Sequence, residues 1–107
     1  MKRVGFVLKV KQDRLEEYKE HHKNVWPEMR AALSRTGWGN YSLFLRNDGM
    51  LFGYVETADS LEASLAGMAK EPINAKWQAV MTPFFEALSG DRPDESFVVL
   101  EEIFHLD

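Results

Sequence analysis

No cysteine occurs among the 107 residues. That excludes a disulfide frame, a thiolate nucleophile and any cysteine-ligated metal, and it suits a reducing compartment. No run approaches the ~18 apolar residues of a membrane span. The N-terminal segment MKRVGFVLKV carries charges at positions 2, 3 and 9 and has no long apolar core or small-residue cleavage site, so it does not read as a signal peptide. Basic clusters are missing as well. Thirteen Lys and Arg stand against 17 Asp and Glu, for a formal charge of −4, which argues against nucleic acid and anionic membrane as partners. The chain shows no internal repeat, no low-complexity tract and no phosphate-binding loop. Its one linker-like piece is residues 89–96, SGDRPDES.

The chain does contain a sizeable apolar fraction, 45% of its residues, enough for a core. A length of 107 residues reads as one domain spanning 1–107. So short a chain buries a modest share of its surface, and dimerisation is a common way to add core.

The stretch from Leu15 to Leu33, LEEYKEHHKNVWPEMRAAL, organises the rest. At ~100° per residue, Leu15, Tyr18, His22, Val25, Met29, Ala32 and Leu33 fall in one sector. Glu16, Lys19, Glu20, Lys23 and Arg30 fall opposite. The face expected to be apolar thus carries a phenol and an imidazole one turn apart, close enough to act on one object. The ordinary reading of such a face is core, in which a polar group simply finds a partner. His21 points ~100° away from His22, so the two imidazoles diverge and do not make a metal set with Glu17. Trp26 borders the stripe as a possible pocket wall. Pro27 behind it predicts a break, with a second helix starting at the proline.

In order, residues 3–10 alternate as a first strand, with Val4, Phe6, Leu8 and Val10 on one face. Asp13 and Glu16 resemble a capping box for a helix over about 14–34. Gly37 and Gly39 mark a turn. A second strand covers 40–46 with Tyr41, Leu43 and Leu45 on one face. Asn47-Asp48-Gly49 predicts a hairpin into a third strand over 50–56. Asp59 is the expected N-cap of a helix to about Lys70. Pro72 opens another helix through Leu88, with Ile73, Trp77, Val80, Met81 and Phe84 on one side. A fourth strand is expected over 97–106. The order β-α-β-β-α-β is the ferredoxin-like arrangement, α+β with an antiparallel sheet and its helices on one face. Val7, Phe44, Phe52, Val98, Leu100 and Phe104 exceed what two helices can cover, so a homodimer packed sheet against sheet is expected.

Strand, then Glu16-Glu17-Tyr18, His22, Trp26-Pro27-Glu28 and Asn40-Tyr41 together resemble the L-rhamnose mutarotase family. Trp77 and the closing Glu102-Ile103-Phe104-His105-Leu106 extend the likeness over essentially the whole chain. The H-x-x-x-W-P-E element is its specific part. The resemblance implies a dimeric α+β barrel, a small cytoplasmic homodimer and an isomerase that interconverts the anomers of L-rhamnose without metal or cofactor. It implies His22 as the proton donor and Tyr18, Tyr41 and Trp77 as sugar-binding residues. Lys76 stands where relatives often carry a second Trp; it either reaches a sugar hydroxyl at the mouth or points to water. The chemistry is compatible, since anomer exchange moves a proton off the anomeric hydroxyl and onto the ring oxygen, and His starts near neutral pKa. The same fold hosts small monooxygenases and haem enzymes, and a non-catalytic sugar-binding dimer is a further alternative.

Overall fold

A computed structural model describes residues 1–86 and 98–106. Strand β1 (Lys2–Val10) leads through a 3-10 turn (Gln12–Arg14) into helix α1 (Leu15–Lys23) and helix α2 (Pro27–Arg35). Strands β2 (Trp38–Leu45) and β3 (Met50–Thr57) form a hairpin, followed by helices α3 (Leu61–Ala69) and α4 (Pro72–Met81). A second 3-10 turn (Thr82–Phe84) and two short strands, β4 (Phe85–Glu86) and β5 (Val98–Leu100), complete the described elements. The sheet order is β2-β3-β1-β4, with β5 also on β1, and every pairing is antiparallel. This is the ferredoxin-like order read from the sequence.

Alternation along β1 buries Phe6, Leu8 and Val10, and Leu51 and Val55 of β3 join them on the same face. Phe6 pairs with Gly53, and a side chain at Gly53 would run into the Phe6 ring. The glycine thus admits an aromatic to the centre of the sheet. The hairpin forms where expected. Gly49 takes φ +98°, Asp48 Oδ1 accepts from Met50 N–H at 3.1 Å, and Arg46 braces the same carboxylate at 2.9 and 2.6 Å.

Pro27 breaks the long apolar stripe as expected. Trp26 is extended (φ −54°, ψ 135°) and Pro27 occupies the first turn of α2, where its missing N–H costs nothing. Four details differ. The Asp13–Glu16 capping box does not form: a 3-10 turn precedes α1, whose start has no side-chain cap, and Glu16 pairs with Lys19 at 2.9 Å instead. Ser60, not Asp59, caps α3, its hydroxyl accepting from Ala63 N–H at 3.0 Å. Helix α4 ends at Met81 rather than Leu88, because Pro83 removes a donor and crowds the preceding turn; Phe85 then enters the sheet, and 87–88 lie outside the described residues. The fourth strand is shorter than 97–106, with only Val98–Leu100 laddered. Antiparallel to β1 from Val7 to Gly5, it nears the start of its partner at Lys2, and residues 101–106 are exposed outside regular structure. Phe97 and the 89–96 segment lie outside the described residues. No helix among the described residues is long and apolar enough to cross a membrane.

Candidate active site

Between the buried face of the sheet and the helices lies a cavity of about 390 Å³, within the ~300–1,000 Å³ of small-molecule sites. Its floor is apolar, with Leu8, Leu51, Met68 and Met81 among the lining residues. Its polar groups come from four elements: Tyr18 and His22 of α1, Arg30 of α2, Trp38 and Tyr41 of β2, and Asn74, Trp77 and Gln78 of α4. Tyr18 and His22 also line an adjoining cleft of about 270 Å³.

The helical stripe positions the first pair. One turn apart, the rings of Tyr18 and His22 lie 4.3 Å apart. His22 Nδ1 is 3.0 Å from the Tyr18 carbonyl oxygen. A carbonyl only accepts, so this hydrogen bond puts the proton on Nδ1 and leaves Nε2 of the neutral ring with a bare lone pair. Burial lowers the His22 pKa from its ordinary value; the bond to the Tyr18 carbonyl opposes that shift, and the charge of neighbouring His21 adds to it. The ring is therefore neutral at pH 7, with an acceptor ready. Trp77 meets His22 edge-on at 5.6 Å, and Trp26 meets Trp77 in turn at 5.0 Å. Trp26 thus backs the wall rather than lining it.

Tyr41 reaches the cavity by an irregularity. The β2–β3 ladder pairs Gly39 with Glu56 and then Ser42 with Tyr54, skipping a register step. Asn40 takes φ +43° there, a left-handed conformation that Asn tolerates better than most residues. In a regular strand Trp38 and Tyr41, three apart, would face opposite sides. The bulge turns both inward, their rings 5.2 Å apart, and the Trp38 indole Nε1–H donates to the Ser64 carbonyl at 3.3 Å. Burial raises the pKa of Tyr18 and of Tyr41, and the proximity of Tyr41 adds to the rise at Tyr18. Both phenols remain protonated donors.

The structure thus brings Tyr18, His22, Tyr41 and Trp77 together. Lys76 is exposed on α4 and is not among the lining residues. His21 is exposed and packs near the Phe84 ring, 5.3 Å away. Sequence reasoning did not single out Trp38, Asn74 or Gln78, and it put Arg30 on the face opposite the stripe, whereas Arg30, on α2 beyond the break at Pro27, lines the cavity. Asn74, Trp77, Gln78 and Met81 are the buried residues of α4, an i, i+3, i+4, i+7 series, so the buried face is rotated from the one centred on Ile73 and Val80. That series was present in the spacing, but two amides on it read as surface. Nothing local announces the bulge that turns Trp38 and Tyr41 to the same side.

Fold and site together define a small-molecule pocket, with an imidazole and two phenols in its wall, on a ferredoxin-like sheet. A profile of L-rhamnose mutarotases matches residues 3–106. The L-rhamnose mutarotase of Oceanobacillus iheyensis is 42% identical to this chain, and that of Bacillus subtilis 38%, each over the full length of both proteins. The crystal structure of an L-rhamnose mutarotase from Formosa agariphila superposes with a TM-score of 0.78, at 28% identity and full coverage of both chains. The chain belongs to the L-rhamnose mutarotase family. That membership chooses among the enzymes that share this fold, which fold alone does not do.

Proposed function

We propose that this protein interconverts the α and β anomers of L-rhamnose, an isomerase whose work is proton transfer. The observation that carries the reading is the locked His22 ring, with Nδ1–H spent on the Tyr18 carbonyl and a neutral Nε2 in the wall of a sugar-sized cavity. Nε2 takes the proton of the anomeric hydroxyl. The C1–O bond to the ring oxygen breaks as a carbonyl forms at C1, and the ring oxygen receives the proton, so the open aldehyde has gained and lost nothing overall. Both oxygens sit on C1, so one imidazole serves each in turn as base and as acid. Rotation about C1–C2 presents the other carbonyl face, and the same steps reversed close the ring as the other anomer.

Tyr18 and Tyr41, kept protonated, donate to sugar oxygens, and the indole of Trp77 offers an apolar surface to the sugar C–H groups. The leucine and methionine floor suits the methyl group of a 6-deoxy sugar. Exchange of anomers consumes no redox equivalent, so no cofactor is called for, and the reading carries with it a cytoplasmic enzyme, which the cysteine-free composition suits. The test is magnetisation exchange between the anomeric proton signals of L-rhamnose with and without protein. Acceleration in proportion to protein concentration is expected; exchange at the buffer rate would sink the proposal.

The functional unit in this reading is a homodimer. On the face of the sheet away from the helices, Phe44 is 60% and Phe52 40% exposed, their rings 6.4 Å apart, with Val98 and Leu100 of β5 exposed on the far side of β1. Aromatic side chains side by side on a flat sheet face are costly to leave in water. A second copy of the chain, face to face, removes them from it.

A further inference from the structure

One part of the cavity wall has no role in the steps above. Asn74 is 1% and Gln78 8% exposed, four residues apart on α4 and so one above the other. Gln78 Nε2 donates to Asn74 Oδ1 at 3.0 Å. Gln78 Oε1 is buried and has no hydrogen-bond partner among the described residues. Buried amide oxygens are rarely left this way, since an acceptor stripped of water and unmatched is unfavourable. A residue serving only to fill the core at this place would do better as Leu or Met. Gln78 follows Trp77, which meets His22, and all three line the same cavity. In a pocket whose floor is apolar, the few polar groups set the ligand's orientation. What complements an unmatched acceptor is a donor, and the donors a sugar brings are hydroxyls.

Resting on the mutarotase reading, we propose that Gln78 is a substrate-binding, specificity-determining residue whose Oε1 accepts a hydrogen bond from a non-anomeric ring hydroxyl. Asn74 is the positioning residue that holds the amide by its N–H. The terminal torsion of glutamine is soft, so the oxygen turns from the wall to the hydroxyl on contact. Because the non-anomeric hydroxyls at C2, C3 and C4 persist through ring opening, this bond is made equally in ground and transition states. It therefore lowers KM and leaves kcat alone.

Anomer exchange is to be measured on L-rhamnose and on its 2-, 3- and 4-deoxy analogues, with wild type and with Gln78→Met, which keeps length and volume but removes the acceptor. The expected result is a roughly 10-fold higher KM for Gln78→Met on L-rhamnose, with kcat within about 2-fold. On one of the three analogues the two proteins should have the same KM, because there the donor is already gone. Thermal unfolding reports whether the variant folds. If it does not, the side-chain amide signals of Gln78 in 15N-labelled wild type decide: they should move under saturating L-rhamnose and stay put with the one analogue. Equal losses on every analogue, an unchanged KM, or unmoved amide signals overturn the proposal while the mutarotase reading stands. A wild type that does not accelerate exchange removes both.

Discussion

The inner and outer faces of the β2-β3-β1 sheet carry similar aromatic loads in opposite circumstances. On the inner face Phe6, Trp38 and Tyr41 lie under helices, the Tyr41 ring 6.3 Å from Phe6 and 5.2 Å from Trp38, beside a cavity that holds an imidazole and two phenols. On the outer face Phe44 and Phe52 stand in the open with Val98 and Leu100, and the phenol of Tyr54 is shifted up chiefly by its hydrogen bond to Glu56 rather than by burial. Strand alternation, corrected by the bulge at Asn40, produces both faces. What differs is the helical layer, which covers one side and delivers polar groups only there. Changes inside should therefore move kinetics and leave assembly alone, and changes outside should move assembly first.

The largest effect belongs to the inner face. His22→Ala should lower enzyme-accelerated anomer exchange by ~10²–10⁴-fold, the usual contribution of a general acid–base group, while sedimenting as wild type. Exchange within a few-fold of wild type would remove the imidazole from the mechanism. On the outer face, Phe44→Lys combined with Phe52→Lys should convert a dimer at micromolar concentration into a 12.3 kDa species; a wild type already monomeric there would leave that face without its proposed partner.

The bulge that links the two faces gives a smaller effect. Asn40→Val places a β-branched residue at φ +43° and should cost about 1–2 kcal/mol in denaturant unfolding. Asn40→Gly loses the same side-chain bond to Glu56 (2.9 Å) but not the backbone freedom, and should be the more stable of the two. Equal stability would mean that the left-handed turn exerts no strain.

A fourth expectation concerns pH. Burial holds the folded-state pKa of His22 below the ordinary 6.5. Between the two values the unfolded chain binds more protons, so stability falls as pH drops below about 6.5, by at most ~1.4 kcal/mol per pH unit from this group. kcat/KM should fall on the same acid limb, with a midpoint under 6.5. Comparing the acid limbs of wild type and His22→Ala isolates the contribution; identical slopes would show that His22 is not buried neutral. Last and smallest, His21→Ala and Lys76→Ala, both exposed, should change exchange by less than about 2-fold. A larger loss at Lys76 would bring it back to the mouth of the pocket.

How far the chain could be read beforehand follows the range of the forces involved. Helical periodicity is a local property, so the Tyr18–His22 pair, the break at Pro27 and the Asp48-Gly49 turn were all legible in a few residues each. So was the order of elements, and with it the sheet. Helix ends were read less well, because a cap depends on which residue leaves the helical path: Ser60 does so and Asp13 does not. What no local pattern contained was decided by tertiary structure. The register slip at Asn40 depends on β2 lying against β3, and only that pairing turns Trp38 and Tyr41 to one side. The rotation of α4 depends on the sheet and on α2 beneath it, and only that packing buries Asn74 and Gln78, two amides whose spacing alone reads as surface. The sequence by itself determined which chemical groups were available and which helix would present the imidazole. Tertiary packing decided which of them share a cavity, because burial and strand register arise from contacts between residues distant along the chain.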